Sequence, residues 1–108
     1  MNKLQTPKSK KRILLVEDNA EIRSYIQDIL KDKFIIDEAE NGVDGIKKAA
    51  ENEYQLIITD LMMPEMDGME MCKILKSSIE TDHIPIIMLT AKSSVENKIE
   101  ALKIAADT

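Results

Sequence analysis

Four short apolar runs punctuate the chain, and segments of helical periodicity lie between and after them. Ile13-Leu14-Leu15-Val16, Phe34-Ile35-Ile36, Leu56-Ile57-Ile58 and Ile86-Ile87-Met88-Leu89 are too short for helices and rich in branched side chains, the composition of buried strands. After the first run, Ile22, Tyr25, Ile26, Ile29 and Leu30 recur at i, i+3, i+4, i+7 and i+8, which predicts one apolar face of an amphipathic helix. Asn19 or Asp18 can cap its start by accepting from free amides of the first turn. Beyond an Asn41-Gly42 turn, Val43, Ile46, Ala49 and Ala50 form a weaker stripe for a second helix. Met69, Cys72, Ile74 and Leu75 predict a third, starting near Gly68. Pro85 admits the last strand, which ends on Thr90. Ser93-x-x-Glu96 then matches a capping box, and Val95, Ile99 and Leu102 predict a fourth helix.

Strict alternation of strand and helix, with strands apolar throughout, implies an α/β fold. Right-handed crossovers would lay the strands into a mostly parallel sheet with helices on both faces. The second run has a polar tail, Asp37-Glu38-Ala39-Glu40, and is assigned to the sheet edge. At 108 residues there is room for one core. Residues 1–11 lack apolar periodicity and contain Pro7, so they read as a flexible basic leader or linker, with the folded domain over 12–108.

Charge narrows the functional classes. The net charge is -5, but Lys3, Lys8, Lys10, Lys11 and Arg12 stand in an acid-free segment, leaving 10 basic and 20 acidic residues from position 13 onward. A body this acidic argues against direct nucleic-acid binding by the folded part. No apolar run approaches the roughly 20 residues that span a bilayer, and there is no signal-peptide core, so a cytoplasmic protein without membrane contact is expected. The single cysteine, Cys72, excludes an internal disulfide and reads as packing on the third helix, as do the seven methionines on core and loop. His83, the only histidine, reads as a surface residue of a polar loop.

Chemistry concentrates at strand ends. Glu17 and Asp18 end the first strand, Asp60 ends the third and Thr90 the fourth. If these strands are neighbours, three carboxylates and a hydroxyl meet in one cleft at the carboxyl edge, where open α/β sheets bind ligands. Clustered carboxylates repel one another, which favours protonation or a bound divalent cation, and hard oxygen donors that share a site with water suit Mg²⁺. A carboxylate beside that ion can attack a phosphoryl group and hold it as an acyl phosphate, with Thr90 donating to the product.

Val16-Glu17-Asp18-Asn19, the segment from Asp60 through Met62, Met63, Pro64 and Asp67 to Gly68, and Pro85 through Thr90 to Ala91 resemble the signature segments of response-regulator receiver domains. The resemblance covers residues 12–107. It implies a flavodoxin-like, three-layer α/β/α fold with strand order 2-1-3-4, and a phosphoryl-accepting switch of a bacterial phosphorelay rather than a conventional enzyme. Asp60 is then the phosphoacceptor and Asp18 a direct Mg²⁺ ligand. Glu17 is the companion acid acting through water, the main-chain carbonyl of Met62 a third protein ligand, and Thr90 the switch hydroxyl. Met62 and Lys92 fall where the family tunes phosphoryl lifetime. The implied partner is a histidine kinase or phosphotransfer domain. The run from His83 to Ser94 is similar to receivers inside hybrid sensor kinases, where the kinase shares the polypeptide.

The family continues through a Gly-Ala-Asp turn into a fifth strand carrying a switch aromatic and a phosphoryl-pairing lysine, then a fifth helix. Here Ala105 stands where that glycine is usual, and Lys98 and Lys103 do not match the lysine. The expectation is a C-terminally truncated receiver with a weakened phosphorylation response. Its fourth strand would be an exposed apolar edge, lowering stability and favouring self-association. One alternative is a phosphorylation-independent docking module of the same fold. A flavodoxin-like cofactor binder is disfavoured because Glu17 and Asp18 would repel a flavin phosphate, and a haloacid-type phosphatase because Met62 stands where a second acid is needed.

Overall fold

A computed structural model describes residues 10–89. Within them the order is β1 (Lys11–Val16), α1 (Ala20–Leu30), β2 (Phe34–Ala39), α2 (Gly42–Glu51), β3 (Leu56–Asp60), α3 (Gly68–Lys76) and β4 (Ile86–Leu89). The sequence expectations for residues 1–9, for Thr90 and Lys92, and for a fourth helix lie outside the described residues.

The strands pair in parallel in the order β2-β1-β3-β4, as expected, with β2 at one edge. Strand alternation sends side chains to opposite faces and splits the core in two. Ile13, Leu15, Ile36, Ile58 and Leu89 pack with Ile22, Ile26 and Leu30 of α1. Leu14, Val16, Ala39 and Ile57 pack on the other face with Ala49 of α2, Met71 and Leu75 of α3, and the loop residues Met63 and Ile84. Central β1 is buried on both faces from Ile13 to Val16, which is why its run is apolar without interruption. Each such buried aliphatic side chain contributes about 1.5–3 kcal/mol.

Capping follows the expected chemistry with one change. Asn19 caps α1, its side chain accepting from the Ile22 amide at 3.0 Å. Asn41 does not form a turn with Gly42; it caps α2 by accepting from the Asp44 amide at 2.8 Å, so Gly42 is already helical. Asp67 and Glu70 form a reciprocal capping box at α3.

The buried stripes of α2 and α3 differ from those the apolar spacing predicts. On α2 the buried positions are Gly42, Gly45 and Ala49, while Val43 is exposed. A Cβ at Gly45 would stand 2.9 Å from Val16 Cγ2 and 3.0 Å from Met71 Sδ, so α2 lies close to the sheet on a face of small residues. On α3 the buried residues are Gly68, Met71 and Leu75, spaced three and four apart; Met69 and Ile74 face outward and Cys72 is half-buried rather than fully packed.

Gly68 has no room for a side chain. A Cβ there would lie 2.5 Å from the main-chain oxygen of Asp60 and 3.0 Å from Leu61 Cα, while the Gly68 amide donates to the Leu61 carbonyl at 2.8 Å. The first turn of α3 therefore sits directly on the end of β3. Gly68→Ala is expected to cost about 1–3 kcal/mol through forced backbone displacement, read as a lower urea midpoint with an unchanged slope.

At the opposite end of the sheet Tyr54 is buried, its hydroxyl donating to Asp37 at 2.7 Å, and Asp37 also pairs with Arg12 at 3.2 Å. Burial first, and the Asp37 carboxylate second, push the Tyr54 phenol well above its ordinary range. The folded state thus holds the neutral phenol while the unfolded chain ionises near pH 10, so this contribution is intact below about pH 10 and lost as pH rises further. Unfolding free energies measured from pH 9 to 11 should fall more steeply for the native chain than for Tyr54→Phe.

Candidate functional site

Parallel pairing carries the ends of β1 and β3 to the same edge, because Val16 is the register partner of Thr59. The next residue on each strand path is an acid. Glu17, Asp18 and Asp60 each offer a carboxylate oxygen, and these atoms all lie within 4.8 Å of one another. Sequence reasoning made this convergence conditional on strands 1, 3 and 4 being neighbours, and they are.

The three acids differ in environment. Glu17 is fully buried, Asp60 is 3% exposed, and Asp18 is exposed. The Glu17 amide donates to the Ala39 carbonyl at 3.0 Å, continuing the β1–β2 ladder, and its Oε2 accepts from the Asn19 amide at 3.2 Å. Asp60 Oδ1 accepts a long bond, 3.4 Å, from the Met62 amide. Met62 itself is exposed at the rim of the site. Leu89 of β4 pairs with Asp60; Thr90, the next residue, lies outside the described residues.

The loop beyond Asp60 is shaped tightly. Glu65 adopts φ 70, the Met66 amide donates to the Pro64 carbonyl at 2.7 Å, and Met66 covers the small face of α2 at Gly42. Asp67 and Glu70 close the helix cap beyond it. Asp60 thereby emerges from a rigid strand and is followed at once by a restrained turn.

The donor set is all oxygen, two acids nearly sequestered and one open to solvent. Three like charges at this separation are relieved by a divalent cation, and carboxylates with access to water are what Mg²⁺ takes. The residues present fit that ion.

The structural roles of two positions that shape the site escaped the sequence reading. The sequence marks Gly68 as the start of a helix and the end of a signature segment, but its close approach to the end of β3 appears only in the fold. Arg23 looks like a solvated helical residue, yet its guanidinium reaches the Glu17 carbonyl at 2.6 Å.

Comparison with known proteins agrees with this arrangement. A family profile described as the response regulator receiver domain matches residues 13–108. The chain is 46% identical over 104 residues to histidine kinase P4 of Formosa agariphila, covering 96% of the chain and 8% of that protein. It is 42% identical over 97 residues to the transcriptional regulatory protein ResD of Bacillus subtilis, covering 89% of the chain and 39% of that protein. The chain thus spans well under half the length of these relatives. Among solved structures, the Vibrio cholerae chemotaxis protein CheY4 superposes with TM-score 0.74 at 30% identity, covering 89% of this chain and 81% of that one. With the parallel 2-1-3-4 sheet and the acids at its carboxyl edge, these matches establish that the chain belongs to the response regulator receiver domain family of two-component signalling.

Proposed function

We propose that the chain is a phosphoryl-accepting switch in which Asp60 receives the group from a phosphohistidine on a histidine kinase or phosphotransfer domain. The observation that carries this is the set of three carboxylates with mutually close oxygens at the carboxyl edge of the sheet. A carboxylate oxygen of Asp60 attacks phosphorus as the N–P bond breaks. The imidazole leaves with the bonding pair and takes up a proton, and an acyl phosphate remains on Asp60.

Asp18, Asp60 and the Met62 carbonyl would hold Mg²⁺, with Glu17 acting through water. When bound, the ion neutralises charge on the phosphoryl oxygens. Exposure of Asp18 leaves the rim open to an incoming donor, while burial of Asp60 at the end of β3 restricts the directions its side chain can take. Thr90 is assigned the hydroxyl that donates to the phosphoryl group, supported by the pairing of its neighbour Leu89 with Asp60. Met62 and Lys92 are assigned to tuning its lifetime. The reading takes residues 1–11 as a linker and 12–108 as the receiver, working in the cytoplasm. The histidine kinase relative supports a kinase in the same polypeptide.

Intact mass measured after incubating the full-length protein with a small phosphodonor and Mg²⁺ should show one added phosphoryl group, absent in Asp60→Asn and in excess chelator. A folded protein that gains no mass would overturn the switch and leave a docking module. Mg²⁺ should also raise the unfolding free energy, by about 2.7 kcal/mol at a hundred times its Kd. That increment should vanish in Asp18→Asn.

A further inference from the structure

We infer that Arg23 is a positioning residue for the cation-binding acids, a role that rests on the reading of Glu17 and Asp18 given above. Arg23 lies in the first turn of α1, and two of its contacts converge on the β1–α1 connection that carries those acids while a third reaches β2. Its amide donates to the Asn19 carbonyl at 3.0 Å, closing the first helical bond behind the cap. Nη1 donates to the Glu17 carbonyl at 2.6 Å. Nε donates to Glu38 Oε1 at 3.1 Å. The Arg23 side chain is only 16% exposed, so these are the contacts of a largely desolvated cation rather than a surface arginine folded back by chance.

The geometry holds Glu17 from two sides. Its amide is tied to Ala39 of β2 and its carbonyl to Arg23 of α1, so the peptide units flanking its side chain are held at both ends. Glu38 anchors the guanidinium in turn. Its second carboxylate oxygen accepts from Gln27 Nε2 at 3.0 Å, and its carbonyl accepts from the Lys48 ammonium. The chain of contacts runs from α2 through β2 and α1 to the main chain of Glu17.

A planar guanidinium reaches a carbonyl and a carboxylate in fixed directions at once, which an ammonium on a flexible stem does not. Arg23 acts on Glu17 through its main-chain carbonyl. Its effect is to set the path on which Glu17 and Asp18 stand before a cation arrives. In metal sites, partners one step removed from the ligands change affinity by about 10–100-fold.

The test is calorimetric titration of Mg²⁺ into the full-length protein and its Arg23→Met, Arg23→Lys and Glu38→Gln variants, alongside phosphorylation rates measured across Mg²⁺ concentration. Arg23→Met should weaken Mg²⁺ binding by about tenfold or more, with Arg23→Lys between it and the native protein. The Mg²⁺ concentration for half-maximal phosphorylation should rise by the same factor while the rate at saturation stays near native. A purely structural loss would lower the saturating rate or the folded fraction instead. Folded Arg23→Met with native Mg²⁺ affinity overturns the inference. If that variant does not fold, Glu38→Gln, which replaces the charged partner of Nε with a neutral amide and removes the oxygen that accepts from Gln27 while leaving Arg23 in place, decides: a several-fold weaker affinity supports the inference and native affinity overturns it. Failure of the native protein to bind Mg²⁺ is a separate result that removes the cation reading itself, and this inference with it.

Discussion

A fully buried carboxylate at the end of the central strand is the constraint around which the structure is arranged. Glu17 follows four buried apolar residues of β1 and has no exposed surface of its own. Taking a charge out of water costs several kcal/mol unless polar partners replace the solvent. The Asn19 amide donates to its side chain, while Ala39 and Arg23 hold its main chain in place and Glu38 stands behind Arg23. Asp60, almost as buried, comes within reach on the adjacent strand. An apolar pair at the same two positions would be simpler for a fold to carry, so the acids there run against what stability alone would favour.

The sheet and its edge chemistry were legible because they rest on local patterns. Continuous branched runs mark strands buried on both faces, and an acid placed just beyond such a run has nowhere to go but the carboxyl edge. The motifs around Asp18, Asp60 and Pro85 pointed to the receiver family on the same local basis, and the comparisons agree. The faces of α2 and α3 were less legible. Apolar spacing gives glycine no weight, yet Gly42, Gly45 and Gly68 are the positions where these helices approach their neighbours. Val43 and Met69 drew the predicted stripes onto what proved to be solvent-facing sides.

Arg23 shows a second limit. A cation on an amphipathic helix is ordinarily solvated, and nothing within α1 announces that this one bridges Glu17 and Glu38. Its contacts depend on β1, α1 and β2 meeting in space, which the spacing of residues within α1 does not encode. Gly68 is of the same kind, defined by the Asp60 carbonyl it must not touch. Local patterns name the groups that do chemistry; the groups that hold them in place appear only once the elements are packed.

The parallel pairing of β1 with β3 also governs when the acid cluster comes into being during folding. Parallel neighbours cannot be joined by a tight turn, and here β2 and two helices intervene between the paired strands. Glu17 and Asp60 therefore meet only after a large loop has closed, a slow class of contact in a nascent chain. A partly folded chain with only its local helices formed has Asp60 but not the acid cluster. Assembly of the acids is in this sense a report that the central sheet is complete, so a chain that has not finished folding lacks the cluster altogether.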